Sequence, residues 1–111
     1  MNRNKIILEN MLQEIDYLMD YANSFDYKTF INSEEKKRTV SMTLINIGET
    51  VRHLTKEFRE ANEDIPFDDV LGLRDVAAHG YKALRFEFLW GLIHDDVPEL
   101  KTKIMMLLKT M

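Results

Sequence analysis

From Ser33 onward the chain places apolar residues at Val40, Leu44, Ile47, Val51, Leu54 and Phe58, in steps of four and three without a miss. Such spacing returns to one side of an α-helix at every turn and to neither face of a strand. It predicts a helix of about 25 residues with one narrow buried seam, suited to the inside of a bundle or to a contact between two copies. Ser33 is a good N-cap, and Glu34 and Glu35 put negative charge at the positive end of the helix dipole.

The rest of the chain repeats the theme. Leu8, Met11, Ile15, Leu18, Met19 and Ala22 predict an amphipathic helix over residues 4–22, stopped by Asn23 and Ser24. The aromatic stretch Phe25–Ile31 reads as one or two helical turns lying over the core. After a polar break at Asn62–Pro66, the residues Phe67, Val70, Leu71, Leu73 and Ala77 predict a helix over 66–78. Pro66 suits its first turn, and Gly80 suits the left-handed residue that ends it. The last stretch, Arg85 to Lys109, is interrupted at Asp95-Asp96-Val97-Pro98. Pro98 either kinks one long helix or starts a new one capped by Asp95 or Asp96. With only 4 Gly and 2 Pro in 111 residues, few positions remain for the tight turns of an all-β fold. The expectation is all-α: an antiparallel bundle of four to five helices forming a single domain over residues 1–111.

Charge and composition exclude several functions. Lys and Arg number 15 against 19 Asp and Glu, so nucleic acid is not bound through bulk charge, although a local basic patch is compatible. Without cysteine there is no disulfide, thiolate metal site or cysteine nucleophile. The apolar run Ile6–Leu8 is too short for a signal-peptide core, and nothing approaches the roughly 20 apolar residues of a membrane helix. A cytoplasmic protein with no membrane association is expected. Of the three histidines, His53 follows Glu49 by four residues and His94 adjoins Asp95 and Asp96. No second Glu-x-x-His pair completes a di-metal bundle site, so neither metal nor cofactor is expected. Glycine-rich phosphate loops and serine elbows are absent.

Polar function gathers instead in Arg74-Asp75-Val76-Ala77-Ala78-His79-Gly80-Tyr81. In an uninterrupted helix, Arg74 and His79 stand about 140° apart around the axis. A helix stopping at His79, with Gly80 turning the chain, lets the imidazole swing back toward Arg74. The helix C-terminus favours an imidazolium, and Arg74 offers a planar fork to a phosphate. Two readings stand on these residues: a phosphate-handling pair, or an arginine paired with a surface carboxylate beside a histidine that caps a helix.

Arg74, four residues, His79, one residue, Tyr81 resembles the R-x4-H-x-Y motif of HepT-like toxins of the HEPN superfamily. Ile47-Gly48-Glu49 resembles the I-G-E of that family's long helix, which opens with a stretch similar to Ser33-Glu34-Glu35-Lys36-Lys37-Arg38. Ile65-Pro66-Phe67 stands where the family often has I-P-W. Trp90 followed by Asp96-Val97-Pro98-Glu99-Leu100 resembles its W…D-L-P-x-L ending. The likeness spans nearly the whole chain in order.

The resemblance implies a helical HEPN domain that is a metal-independent ribonuclease, the toxin of a type VII-like pair. It further implies a homodimer with a shared cleft, acting on RNA with no DNA expected. The implied partner is an MntA-like nucleotidyltransferase antitoxin that adds AMP to the motif tyrosine. Carried over, Arg74 and His79 are the catalytic pair and Tyr81 the AMP acceptor. Asp75 occupies a position where Asn is commoner, and either repels phosphate or orients Arg74 or His79. Glu49 is an auxiliary candidate for orienting Arg74, or else an exposed helix residue. Lys82 and Arg85 make the segment locally basic and are candidate RNA contacts; Arg52 and Lys56 read either as additions to the rim of that cleft or as an ordinary solvated face, the second being preferred. Two other readings are a non-catalytic helical subunit that binds and positions a nucleotidyltransferase, and a dimeric helical interaction module.

Overall fold

Four helices begin where a short polar side chain can take up the open N–H groups of a first turn. Asn2, Asp26, Ser33 and Thr55 stand in extended backbone and accept hydrogen bonds from the N–H groups of Lys5, Thr29, Lys36 and Phe58. They open α1 (Arg3–Ala22), α2 (Tyr27–Ile31), α3 (Glu34–Arg52) and α4 (Lys56–Ala61). The Thr29 N–H bond holds the Asp26 carboxyl below its ordinary pKa. The chain continues through α5 (Phe67–His79), α6 (Phe86–Gly91) and α7 (Val97–Lys109). The structure, a computed structural model, describes residues 2–79 and 85–111, the side chains of residues 76–79 excepted. The expectation that Gly80 ends α5 in a left-handed conformation lies outside the described residues.

The fold is an all-α bundle, with one departure from the expected elements. The helix expected to run for about 25 residues from Ser33 breaks: α3 ends at Arg52, and Thr55 caps a separate α4. The seam still holds, because Leu54 is buried at the break itself and Phe58 packs against Phe67 with ring centroids 6.4 Å apart. What fixes the break comes from α1, where Asn4 accepts from the Thr55 N–H at 3.3 Å and donates to its hydroxyl at 3.4 Å. Pro98 follows the first of its two expected courses, sitting inside one long helix that it disturbs: it opens no separate helix, and Asp96 makes no capping bond with its side chain. A π-helical turn over Leu92–Asp96 joins α6 to α7 in one continuous rod. A proline cannot donate to the carbonyl one turn back and crowds it, and the widened turn just before Pro98 accommodates that loss.

α1 runs antiparallel to α3, since Asn4 meets Thr55 while Gln13 and Tyr17 share a groove with Arg38, Met42 and Asn46. It also runs antiparallel to the C-terminal rod, with Asp16 paired to Lys101 at 2.6 Å and Phe25 packed on Trp90. Leu8, Met11, Ile15, Leu18, Val40, Val51, Ile93 and Ile104 fill the core between them. Phe25, Phe30, Phe86 and Trp90 close one end as an aromatic cluster. Phe67 is buried. Between α3, α5 and the C-terminal rod lies a groove of about 580 Å³, lined by Leu44, Ile47, Leu73, Leu92 and Val97 with Phe88 exposed at its rim. Among the described residues no helix is long and apolar enough to cross a membrane.

Candidate active site

Among the described residues α3 and α5 make the most extensive helix–helix contact, and within it Arg74 lies across Gly48. A Cβ placed on Gly48 would overlap the Arg74 Cβ and lie 2.7 Å from its Cγ. Glycine inside a helix is unfavourable by roughly 1 kcal/mol relative to alanine. Here the missing side chain is what lets the stem of Arg74 settle against the backbone of α3.

The next residue of α3 then fixes the arginine's head. Glu49 Oε1 accepts from both Nε and Nη2 of Arg74, one edge of the guanidinium. On the other side, Arg74 Nη1 donates to Asp75 Oδ1 at 2.9 Å. Arg52, one turn further along α3, brings its Nη1 to 3.3 Å from the same Glu49 oxygen. The side chain of Arg74 is 24% exposed, against 62% for Asp75. A planar cation is therefore held in one orientation, by a half-buried carboxylate behind it and an exposed one beside it.

Burial works against the Glu49 carboxylate, but the hydrogen bonds and charge of Arg74, and then of Arg52, outweigh it and hold the pKa below the ordinary 4.5. Bonds from Asp75 and Glu49 push Arg74 upward, so it stays charged at any working pH. A carboxyl whose pKa is lowered on folding stabilises the fold above its unfolded value, and that contribution is lost as pH falls through the folded one. The melting temperature of wild type should exceed that of Glu49→Gln near neutral pH, and the gap should narrow as the pH is lowered below 4.5. A gap that is constant across the titration would show that the ion pair contributes nothing to folding.

Of the residues singled out in the sequence, Arg74, Asp75 and Glu49 come together. Glu49 is no free helix residue: it is the clamp on Arg74. Asp75 also faces the arginine, in keeping with an orienting part. α5 is helical through His79, placing that residue at the C-terminal end of the helix that carries Arg74. Arg85 is exposed at the start of α6. Tyr81 and Lys82 lie outside the described residues. Among the other histidines, exposed His53 caps α3, and His94 Nδ1 stands 2.8 Å from the Trp90 carbonyl oxygen. Two residues have a part at the site that the sequence did not assign: Gly48 stood only within the Ile47-Gly48-Glu49 motif, and Arg52 only as a rim or solvated-face residue. Gly48 carried a signal, since a glycine inside a strongly periodic helix marks a close approach. Arg52 carried only its spacing from Glu49.

The ribonuclease HepT-like family model matches residues 11–107. The chain belongs to the HepT-like family. Its relatives include a candidate RNase of Caldanaerobacter subterraneus subsp. tengcongensis, 31% identical over 87% of each chain. A candidate RNase of Methanocaldococcus jannaschii is 29% identical over 90% of this chain and 92% of its own. A protein of Thermococcus cleftensis named as a probable ribonuclease HepT is 24% identical over 89% and 90%. No solved structure matches significantly.

Proposed function

We propose that this chain is an endoribonuclease that cleaves RNA without a metal ion, with Arg74 and His79 as its catalytic pair. The observation that carries the reading is the seating of Arg74 over Gly48, its guanidinium aimed by Glu49 and Asp75, in a chain of the HepT-like family.

The chemistry follows from what RNA offers. The 2′-hydroxyl attacks the adjacent phosphorus, the P–O5′ bond breaks, and the products are a 2′,3′-cyclic phosphate and a 5′-hydroxyl. The attacking hydroxyl must lose a proton, the leaving oxygen must gain one, and the phosphorane carries extra negative charge. His79, at the C-terminal end of α5, transfers protons. Arg74 supplies the positive charge. It is held in advance of substrate, so little reorganisation is needed when charge develops. One protomer brings one such histidine, and a twofold homodimer with a shared cleft brings a second, separating acid from base.

In this reading the protein is the toxin of a HEPN/MNT pair, and an MntA-like nucleotidyltransferase neutralises it by adding AMP to Tyr81. The added phosphate would compete with RNA for Arg74. Tyr81→Phe should then remain toxic in the presence of the partner, with no AMP mass increment; neutralisation of that variant would contradict the modification. The activity itself is tested by incubating purified chain with single-stranded RNA in excess chelator. Fragments ending in 2′,3′-cyclic phosphate are expected. Intact RNA would overturn the proposal and favour the non-catalytic partner-subunit reading.

A further inference from the structure

Arg52 lies outside the R-x4-H-x-Y motif, and its sequence position does not separate a place at the cleft rim from a solvated helix face, the preferred reading. Its surroundings in the fold differ from that. Arg52 Nη1 stands 3.3 and 3.4 Å from the two oxygens of Glu49, the carboxylate that clamps Arg74. Two guanidiniums from different helices, α3 and α5, thus converge on one carboxylate oxygen. Donors sharing an acceptor lie within about 6 Å of each other. A guanidinium carries five N–H groups, more than one edge of a carboxylate takes up. The Arg52 side chain is 51% exposed, so it can meet a ligand from solvent without moving the core.

Lys56, the next basic residue along the chain, has a different setting. It lies beyond the break at Thr55, on α4, and its Nζ reaches Glu60 at 3.8 Å. Among the described residues no hydrogen bond or ion pair links it to Arg74. The two cations that a sequence reading treats alike are therefore distinct in the fold.

We infer that Arg52 forms a second phosphate subsite beside Arg74, taking a non-bridging oxygen pair of the phosphate next to the scissile one on the same RNA strand. The inference rests on the ribonuclease reading and deepens it. Glu49 then has two tasks: it aligns Arg74, and it keeps two like charges close together before RNA arrives. Asp75, exposed and attached to Arg74 through one nitrogen, is the carboxylate an incoming phosphate displaces, while Glu49 stays in place. The competing explanation is that Arg52 only complements the negative end of the α3 dipole.

The test titrates a labelled single-stranded oligoribonucleotide with the full chain carrying His79→Ala, which prevents turnover, across a salt series by fluorescence anisotropy. Adding Arg52→Ala should lower the slope of log affinity against log salt by about 0.7 for each phosphate that is no longer neutralised. At about 0.1 M salt that corresponds to a roughly fivefold weaker Kd. Adding Lys56→Ala instead should change neither. With His79 restored, Arg52→Ala should raise KM for RNA and leave kcat within about twofold, because it removes binding common to ground and transition states. Unchanged slope and affinity in Arg52→Ala, an equal loss in Lys56→Ala, or a fall in kcat with no change in slope would each overturn the subsite. Any of these results, with the parent still binding RNA, leaves the ribonuclease reading standing. Failure of the parent to bind RNA overturns both.

Discussion

His79→Ala should cleave RNA about 100- to 10,000-fold more slowly than wild type, the range for removing a positioned proton-transfer group. Arg74→Ala should lose about 100- to 1,000-fold, as expected for removing a preorganised cation from a site of developing charge. The two losses should differ in character. A histidine that transfers protons shapes the pH–rate profile, so its removal should flatten one limb, whereas Arg74, charged throughout, should leave the shape intact. Arg74→Lys should not restore the rate. A lysine offers a point charge on a flexible stem and cannot present one edge to Glu49 while its other donors face a phosphate. Single-turnover cleavage of a defined RNA, with circular dichroism confirming the fold, measures all three. Wild-type rates in either alanine variant would remove that residue from the chemistry.

Gly48 gives the largest expected effect of any residue that does not itself meet RNA. In Gly48→Ala the new methyl collides with the Cβ of Arg74, a carbon fixed to the α5 backbone, so the two helices must move apart. Overpacking of this kind costs about 1–3 kcal/mol, partly offset by the roughly 1 kcal/mol that alanine contributes to helix propensity. The net should be a lower melting temperature together with a loss of cleavage larger than the stability change explains, because Arg74 and Glu49 are displaced from each other. Gly72 supplies the control. It lies inside α5 with nothing within 4 Å of an added Cβ, so Gly72→Ala should stabilise by about 0.5–1 kcal/mol. Thermal melts of the two variants should therefore shift in opposite directions. A stabilised, fully active Gly48→Ala would mean that the close approach of α3 to α5 is not needed.

The contrast between these glycines marks what a sequence shows and what it withholds. Both interrupt helices of good periodicity, yet only the fold reveals that Arg74 lies across one of them. The seam from Val40 to Phe58 identified buried positions, because burial periodicity follows side-chain direction, and Leu54 and Phe58 keep facing inward across the break. Continuity of the helix was not legible, since Thr55 is held by Asn4 from the far end of α1. The π turn at Leu92–Asp96 was half legible: Pro98 announced a disturbance of a long helix, but not that it would take the form of a widened turn. At the site, the local run of Arg74 and Asp75 was visible as a polar cluster. Its alignment by Glu49 joins residues 25 apart in sequence and depends on how two helices meet. Arg52 reads as solvated surface for the same reason.

A ribonuclease at this site requires His79 to act on RNA. The direct measurement expresses wild type and His79→Ala separately in cells lacking any nucleotidyltransferase partner, following growth and RNA integrity in the same cultures. Wild type should arrest growth and fragment RNA, while His79→Ala, at equal level and equally folded, should do neither. Equal growth with intact RNA in both cultures, and Tyr81 unmodified by intact mass, would contradict a ribonuclease at this site.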